Sequence, residues 1–172
     1  MQTRFRNSLL ASSLALGAVF MSSATAGPPD RLVWKSIAGI TQPSNHVGSL
    51  AGIVFGSGLP WSTLGGHAVV DLRNGTIEFD VRGLVFAGGN FIGTPGTVEQ
   101  VKGTLVCNTT AVEANGTPAL VDTPLVPLDD RGNAYFAGNV GPLPPSCHAD
   151  SQIAFLIRAA NQRWIAYGAV LQ

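Results

Sequence analysis

The sequence predicts an all-β domain of about eight strands, and three observations support that prediction. Glycine (21 residues) and proline (11 residues) recur along the chain and divide its apolar residues into stretches too short for long helices. Residues 77–82 alternate strictly between apolar and charged side chains, as a half-buried strand does. No helical period separates the apolar stretches, so an antiparallel β-sandwich or a Greek-key barrel is favoured over alternating strands and helices.

The clearest local prediction is a β-hairpin over residues 67–83. Its second strand places Ile77, Phe79 and Val81 on one face, and its link contains Asn74-Gly75, the pair best suited to the positive φ angles of a tight hairpin turn. Further strands are predicted at residues 31–37, 49–55, 97–107, 120–128, 133–140, 153–158 and 163–170, the last two as a second hairpin.

The segment from Gly66 to Leu84, GHAVVDLRNGTIEFDVRGL, resembles the opening hairpin of CHRD-type domains, which are exported β-sandwich modules of bacteria and of chordin. Those domains usually continue into a His-x-His pair, whereas this sequence continues with residues 85–89, VFAGG. The resemblance therefore implies an exported β-sandwich and assigns no functional residue.

Residues 1–26 have the order of parts of a cleaved secretory signal peptide. Arg4 and Arg6 precede an uncharged run whose apolar centre, residues 9–21, is shorter than the roughly 20 residues of a membrane-spanning helix. Ala24-Thr25-Ala26 supplies the small residues of a cleavage site. We therefore expect a single mature domain over residues 27–172 that is secreted or periplasmic and not inserted in a membrane.

The charge of the expected mature chain indicates which classes of partner are disfavoured, and its two cysteines are interpreted from the compartment in which it folds. Eight basic and ten acidic residues are scattered along it, a balance that favours neither a nucleic acid nor a polybasic membrane contact. Cys107 and Cys147 are expected to form one structural disulfide, because an exported domain folds in an oxidising compartment. The alternative, a redox or metal pair, lacks the CxxC spacing.

The three histidines are the candidates for a metal site. His46, His67 and His148 would bind Cu or Zn if the fold brings them together, and otherwise they are surface or capping residues. No catalytic residue is assigned: His67 and Asp71 share a strand face, but the Gly-x-Ser-x-Gly motif is absent. Residues 129–133, DDRGN, are interpreted as a polar turn rather than a calcium loop.

The tryptophans suggest where a ligand binds. Trp34 and Trp164 lie in predicted strands and are expected in the core, whereas Trp61 lies in the Gly/Pro-rich segment 56–66 and is expected to be an exposed ligand anchor. This loop, with those at residues 88–96 and 141–145, is expected at the ends of the strands, where binding sites concentrate.

Together these observations predict an exported, non-enzymatic binding or structural module of the cell envelope or extracellular space, without a cofactor, for a protein or carbohydrate ligand. Two alternatives stay open. One is a secreted Cu- or Zn-binding metalloprotein, and the other is a small outer-membrane β-barrel, against which the missing aromatic girdles count.

Overall fold

The computed structural model describes residues 30–47, 54–109, 119–147 and 152–172, and within them every regular element except one short 3-10 turn at Pro145–Cys147 is a β-strand. The strands are β1 (Arg31–Gly39), β2 (His46–Val47), β3 (Val54–Phe55), β4 (Trp61–Ser62), β5 (Gly65–Asp71), β6 (Thr76–Arg82), β7 (Val85–Phe86), β8 (Gln100–Cys107), β9 (Ala119–Asp122), β10 (Val126–Pro127), β11 (Ala134–Asn139), β12 (Ile153–Ala159) and β13 (Trp164–Leu171). The predicted signal peptide and residues 49–53 of a predicted strand lie outside the described residues. No helix in the described part of the chain is long and apolar enough to cross a membrane.

Nine strands form one antiparallel sheet in the order β10-β8-β12-β13-β1-β5-β6-β11, with β9 also paired to β8. The sheet curls into a half-barrel, so that β10 and β11 come close together across the turn at residues 128–133. This confirms the predicted all-β antiparallel class, and both predicted hairpins, β5–β6 and β12–β13, pair in the structure.

The structure divides one predicted strand and adds two short strand pairs. The strand predicted over residues 120–128 is divided into β9 and β10, because Pro124 between them has no backbone N–H to donate. The short pairs β2–β3 and β4–β7 were not predicted as such, since two-residue strands are too short to show a period.

The turn between β5 and β6 is wider than predicted. Residues 72–75 connect the paired strand ends, and the Gly75 N–H donates to the Asp71 carbonyl at 3.0 Å. Within this turn the positive φ, 72°, belongs to Gly75, whose Cβ, if present, would lie 1.9 Å from the Gly141 carbonyl oxygen. The prediction of a tight Asn-Gly turn is therefore wrong: four residues form the turn. Within it, the Asn74 side-chain oxygen accepts a hydrogen bond from the N–H of Thr76, the first residue of β6, at 2.8 Å.

The inner face of the sheet packs around an aromatic cluster. The ring of Phe155 lies 5.6 Å from that of Trp34 and 5.9 Å from that of Phe79, and Phe136 stacks 6.1 Å from Phe79. Trp34 and Trp164 are buried, as predicted. Four strands thus contribute to one core.

The outer face of β8 is also buried, and it carries a polar cluster. The Asp122 carboxylate accepts hydrogen bonds from Lys102 at 2.5 Å, from Thr104 at 2.6 Å and from Arg158 at 3.2 Å. The side-chain oxygen of Gln162 accepts two more, from Lys102 at 2.8 Å and from Arg158 at 2.9 Å. Burial alone raises the pKa of Asp122, but these hydrogen bonds and charges outweigh it and hold that pKa below its ordinary value of 3.8.

Replacing Asp122 with Asn is expected to lower the free energy of unfolding by about 1–3 kcal/mol at pH 7, because Lys102 and Arg158 are then buried without a counter-charge. The folded pKa of Asp122 is lowered, so its stabilisation is present above pH 3.8 and is lost as the pH falls through the folded pKa. Urea unfolding of both proteins should therefore show a difference that shrinks at acidic pH. Asp130→Asn, in an exposed turn, is the control, and a difference independent of pH would contradict this prediction.

The predicted disulfide joins Cys107 of β8 to Cys147. The two cysteines are 40 residues apart, so replacing both with Ala should lower the free energy of unfolding by about 4 kcal/mol, since the unfolded chain is no longer cross-linked. Urea unfolding with and without reductant provides the check: reductant should destabilise the wild type and leave the double variant unchanged. Equal unfolding midpoints for the oxidised wild type and the double variant would refute it.

Candidate functional site

Two loops rich in glycine and proline meet at one end of the sheet. Strand β4 in the first loop pairs with β7 at the start of the second, with Trp61 opposite Phe86. The Ala87 N–H also donates to the Pro60 carbonyl at 2.9 Å. The third predicted loop lies at the other end, where Gly141 contacts the β5–β6 turn.

Trp61 lies at the centre of this loop cluster, and only 2% of its surface is exposed. Its ring centroid is 4.0 Å from that of Phe86, and its indole N–H donates to the Ser57 hydroxyl oxygen at 3.1 Å. Its backbone N–H donates to the Ile40 carbonyl at 2.8 Å. The expectation of an exposed Trp61 is therefore wrong, because β4 holds the loop against β1 and β7 through contacts that loop composition does not reveal.

Trp61 contributes to the walls of two cavities. The first, about 560 Å³, lies between the second half of β1 and residues 60–65, and is called the β1 groove below. The second, about 340 Å³, lies beside Ser57 and Arg163 and is called the Arg163 pocket. Both exceed the roughly 300 Å³ at which small-ligand sites begin, whereas two further cavities of about 260 Å³ do not.

The β1 groove exists because β1 changes neighbours along its length. Its first half, Arg31 to Trp34, pairs with β5. Its second half no longer pairs with β5, and its one partner in the nine-stranded sheet is β13. Strands β1 and β5 therefore separate after Trp34. The Thr63 hydroxyl donates to the Ile37 carbonyl at 2.7 Å and fixes the opposite wall of the groove.

Exposed apolar side chains stand around this end of the molecule. Leu64, which lines the groove, is 88% exposed, and Ile92 is 65% exposed in the second loop. The Leu64 backbone is held by a hydrogen bond from its N–H to the Arg82 carbonyl at 2.8 Å. Sequence reasoning missed Leu64, although an apolar residue between Thr63 and a Gly pair is the signal that marks it.

The structure places His46 and His67 on separate strands. His67 lies on β5 opposite Asp80, with its ring nitrogens 3.7 Å from the Glu78 carboxylate and 4.0 Å from that of Asp80. His46 is exposed on β2, and His148 lies outside the described residues. The described ranges contain no group of three or more His, Cys, Asp or Glu residues that could hold a metal ion, so the metal site stays a prediction.

Residues 129–133 form the polar turn that the sequence indicates. One carboxylate oxygen of Asp129 accepts hydrogen bonds from the N–H groups of Arg131 at 2.9 Å and Asn133 at 2.8 Å. The other accepts from the Asn133 side-chain amide at 3.0 Å. The hydrogen bonds from Asn133 lower the pKa of Asp129, which is thus engaged within the turn itself.

No protein-family model, curated protein or solved structure matches this chain. The resemblance to CHRD-type domains therefore stays a prediction, and the functional argument depends on the geometry of the site.

The contact between β1 and β4 can be tested by adding one methyl group. A Cβ on Gly39 would lie 2.2 Å from the Trp61 carbonyl oxygen, so Gly39→Ala must push β4 away from β1. We expect a loss of about 1–3 kcal/mol in unfolding free energy and a changed near-ultraviolet circular dichroism signal from the Trp61–Phe86 pair. Gly58→Ala is the matched control, because nothing lies within 4 Å of its Cβ position. Identical behaviour of the two variants would show that the contact does not position Trp61.

Proposed function

We propose that the mature chain is an exported, non-enzymatic binding module whose recognition surface is the β1 groove, and that it accepts an apolar segment of a protein partner. One observation carries this proposal: the groove, about 560 Å³ in volume, is bordered by Leu64, which is 88% exposed although its backbone is held in place. Apolar side chains exposed beside a concave surface are typical of interaction sites.

The lining of the groove favours a protein segment over a carbohydrate. Pro60, Leu64 and Ala87 provide apolar contacts, while the indole of Trp61 is covered by Phe86 and does not offer a free face to a sugar ring. Burying a leucine side chain fully contributes about 1.5–3 kcal/mol. Burial of Leu64 by a partner would therefore supply a large share of the roughly 4 kcal/mol of binding free energy that corresponds to a millimolar Kd.

Export is proposed on two grounds. Residues 1–26 have the composition of a signal peptide, and the disulfide is consistent with an oxidising extracellular or periplasmic compartment. As for the fold of the exported domain, the single curled sheet favours a Greek-key barrel over a sandwich of two sheets. Determining the N-terminal residue of the exported protein tests the first point, with Gly27 as the expected result.

The recognition surface is tested by site-specific photo-crosslinking. A photo-reactive phenylalanine analogue at position 64 is expected to form a discrete adduct with a partner in the source organism, because this position borders the groove. The same analogue at Tyr135, a 59% exposed position on β11, is the control and should form none. An excess of unmodified domain should suppress the adduct at position 64 by competition.

Equal crosslinking at both positions, or none at position 64, would overturn the proposal. Turnover of a substrate by the purified domain would also overturn its non-enzymatic part.

A further inference from the structure

We propose that the Arg163 pocket binds a sugar acid, a small molecule that carries one carboxylate and several hydroxyl groups. This inference goes beyond the proposed function, because the Arg163 pocket is a cavity separate from the β1 groove and would bind a second class of ligand. Arg163 is the sole charged residue among the described residues that line the pocket.

The guanidinium of Arg163 is held in position and keeps one edge available. Its Nη1 donates to the Gly56 carbonyl at 3.2 Å, and its Cζ lies 5.6 Å from the centre of the Phe55 ring. Its Nε and Nη2 donate to no group of the described chain, and no described carboxylate forms an ion pair with it. The Nε–Nη2 edge matches the two oxygens of a carboxylate, which arginine binds through two parallel hydrogen bonds.

The other side chains of the pocket suit a hydroxyl-rich ligand. The Ser57 hydroxyl oxygen accepts hydrogen bonds from the Trp61 indole and the Leu59 N–H, so its own hydrogen can be donated to a ligand. Ser44, Thr97 and Asn161 add further polar groups to the wall.

An apolar surface completes the pocket. Phe86, fixed by its contact with Trp61, provides a surface for the C–H face of a sugar ring. A site with one cation, several hydroxyl groups and an aromatic ring fits a sugar acid better than an inorganic anion, which makes no use of the ring.

Arg163 differs from two neighbouring cations, Lys102 and Arg158, in having no carboxylate partner among the described residues. Lys102 and Arg158 share the Asp122 carboxylate, so their charges are engaged within the protein. Glu99 lines the adjoining cavity rather than the Arg163 pocket. Arg163 therefore gives this pocket a positive charge that no carboxylate of the described residues neutralises within ion-pair distance.

Calorimetric titration of the processed domain with D-galacturonate and with D-galactose tests the inference. The two probes differ in the carboxylate, so galacturonate is expected to bind at least about tenfold more tightly. Arg163→Gln should weaken galacturonate binding by about tenfold or more and leave galactose binding unchanged. Arg163→Lys keeps the charge without the paired donors and should give an intermediate loss.

Arg131→Gln, in the exposed turn at residues 128–133, is the matched control and should bind like the wild type. Urea unfolding of Arg163→Gln should match that of the wild type, which separates loss of binding from loss of folding.

Three outcomes would overturn the inference: no galacturonate binding by the wild type at about 10 mM, equal binding of the two probes, or equal losses in the Arg163 and Arg131 variants. Acetate binding as tightly as galacturonate would overturn the sugar-acid class, because it would show that the carboxylate alone is recognised. Crosslinking at position 64 that persists in Arg163→Gln leaves the proposed function standing in each case, so the two failures are distinguishable.

Discussion

The aromatic cluster on the inner face of the sheet is the packing that the rest of the structure depends on. Trp34, Phe79, Phe136 and Phe155 come from four strands, and their ring centroids lie 5.6–6.1 Å apart. A sheet that curls must fill its interior, and large rings do so with few voids. Trp34 packs in this core and is the last residue of β1 that pairs with β5. Strands β1 and β5 separate just after it, and their separation forms the β1 groove.

Trp61 performs a comparable role at the loop end of the molecule. Its contact with Phe86 joins the first loop to the second, and its hydrogen bonds to Ser57 and Ile40 hold it within its own loop and against the end of β1. As a result, Trp61 lines both the β1 groove and the Arg163 pocket. Walls that are already in place reduce the entropy cost of ordering on binding, which favours recognition by such a surface. The tryptophan shapes the site through its burial and not as an exposed anchor.

The cations Lys102, Arg158 and Arg163 have two different physical roles. Lys102 and Arg158 are buried, and a buried charge is costly unless it is paired, so Asp122 and Gln162 surround them. Arg163 is exposed and needs no counter-ion for the fold to be stable. Its charge is thus available to a ligand, whereas the charge of the buried pair stabilises the contact between β8, β9 and β12.

Local periodicity in the sequence determined most strand positions, the β5–β6 and β12–β13 hairpins, and the burial of Trp34 and Trp164, because side-chain alternation is a property of neighbouring residues. The cysteine pair followed from composition and the expected compartment. The wider turn at Gly75, the burial of Trp61, the Lys102–Asp122–Arg158 cluster and the two cavities were decided only by the tertiary structure. Each depends on residues such as Gly141, Phe86 or Gly56 that are far away in sequence, and strand order and curvature, which bring them together, leave no local pattern to read.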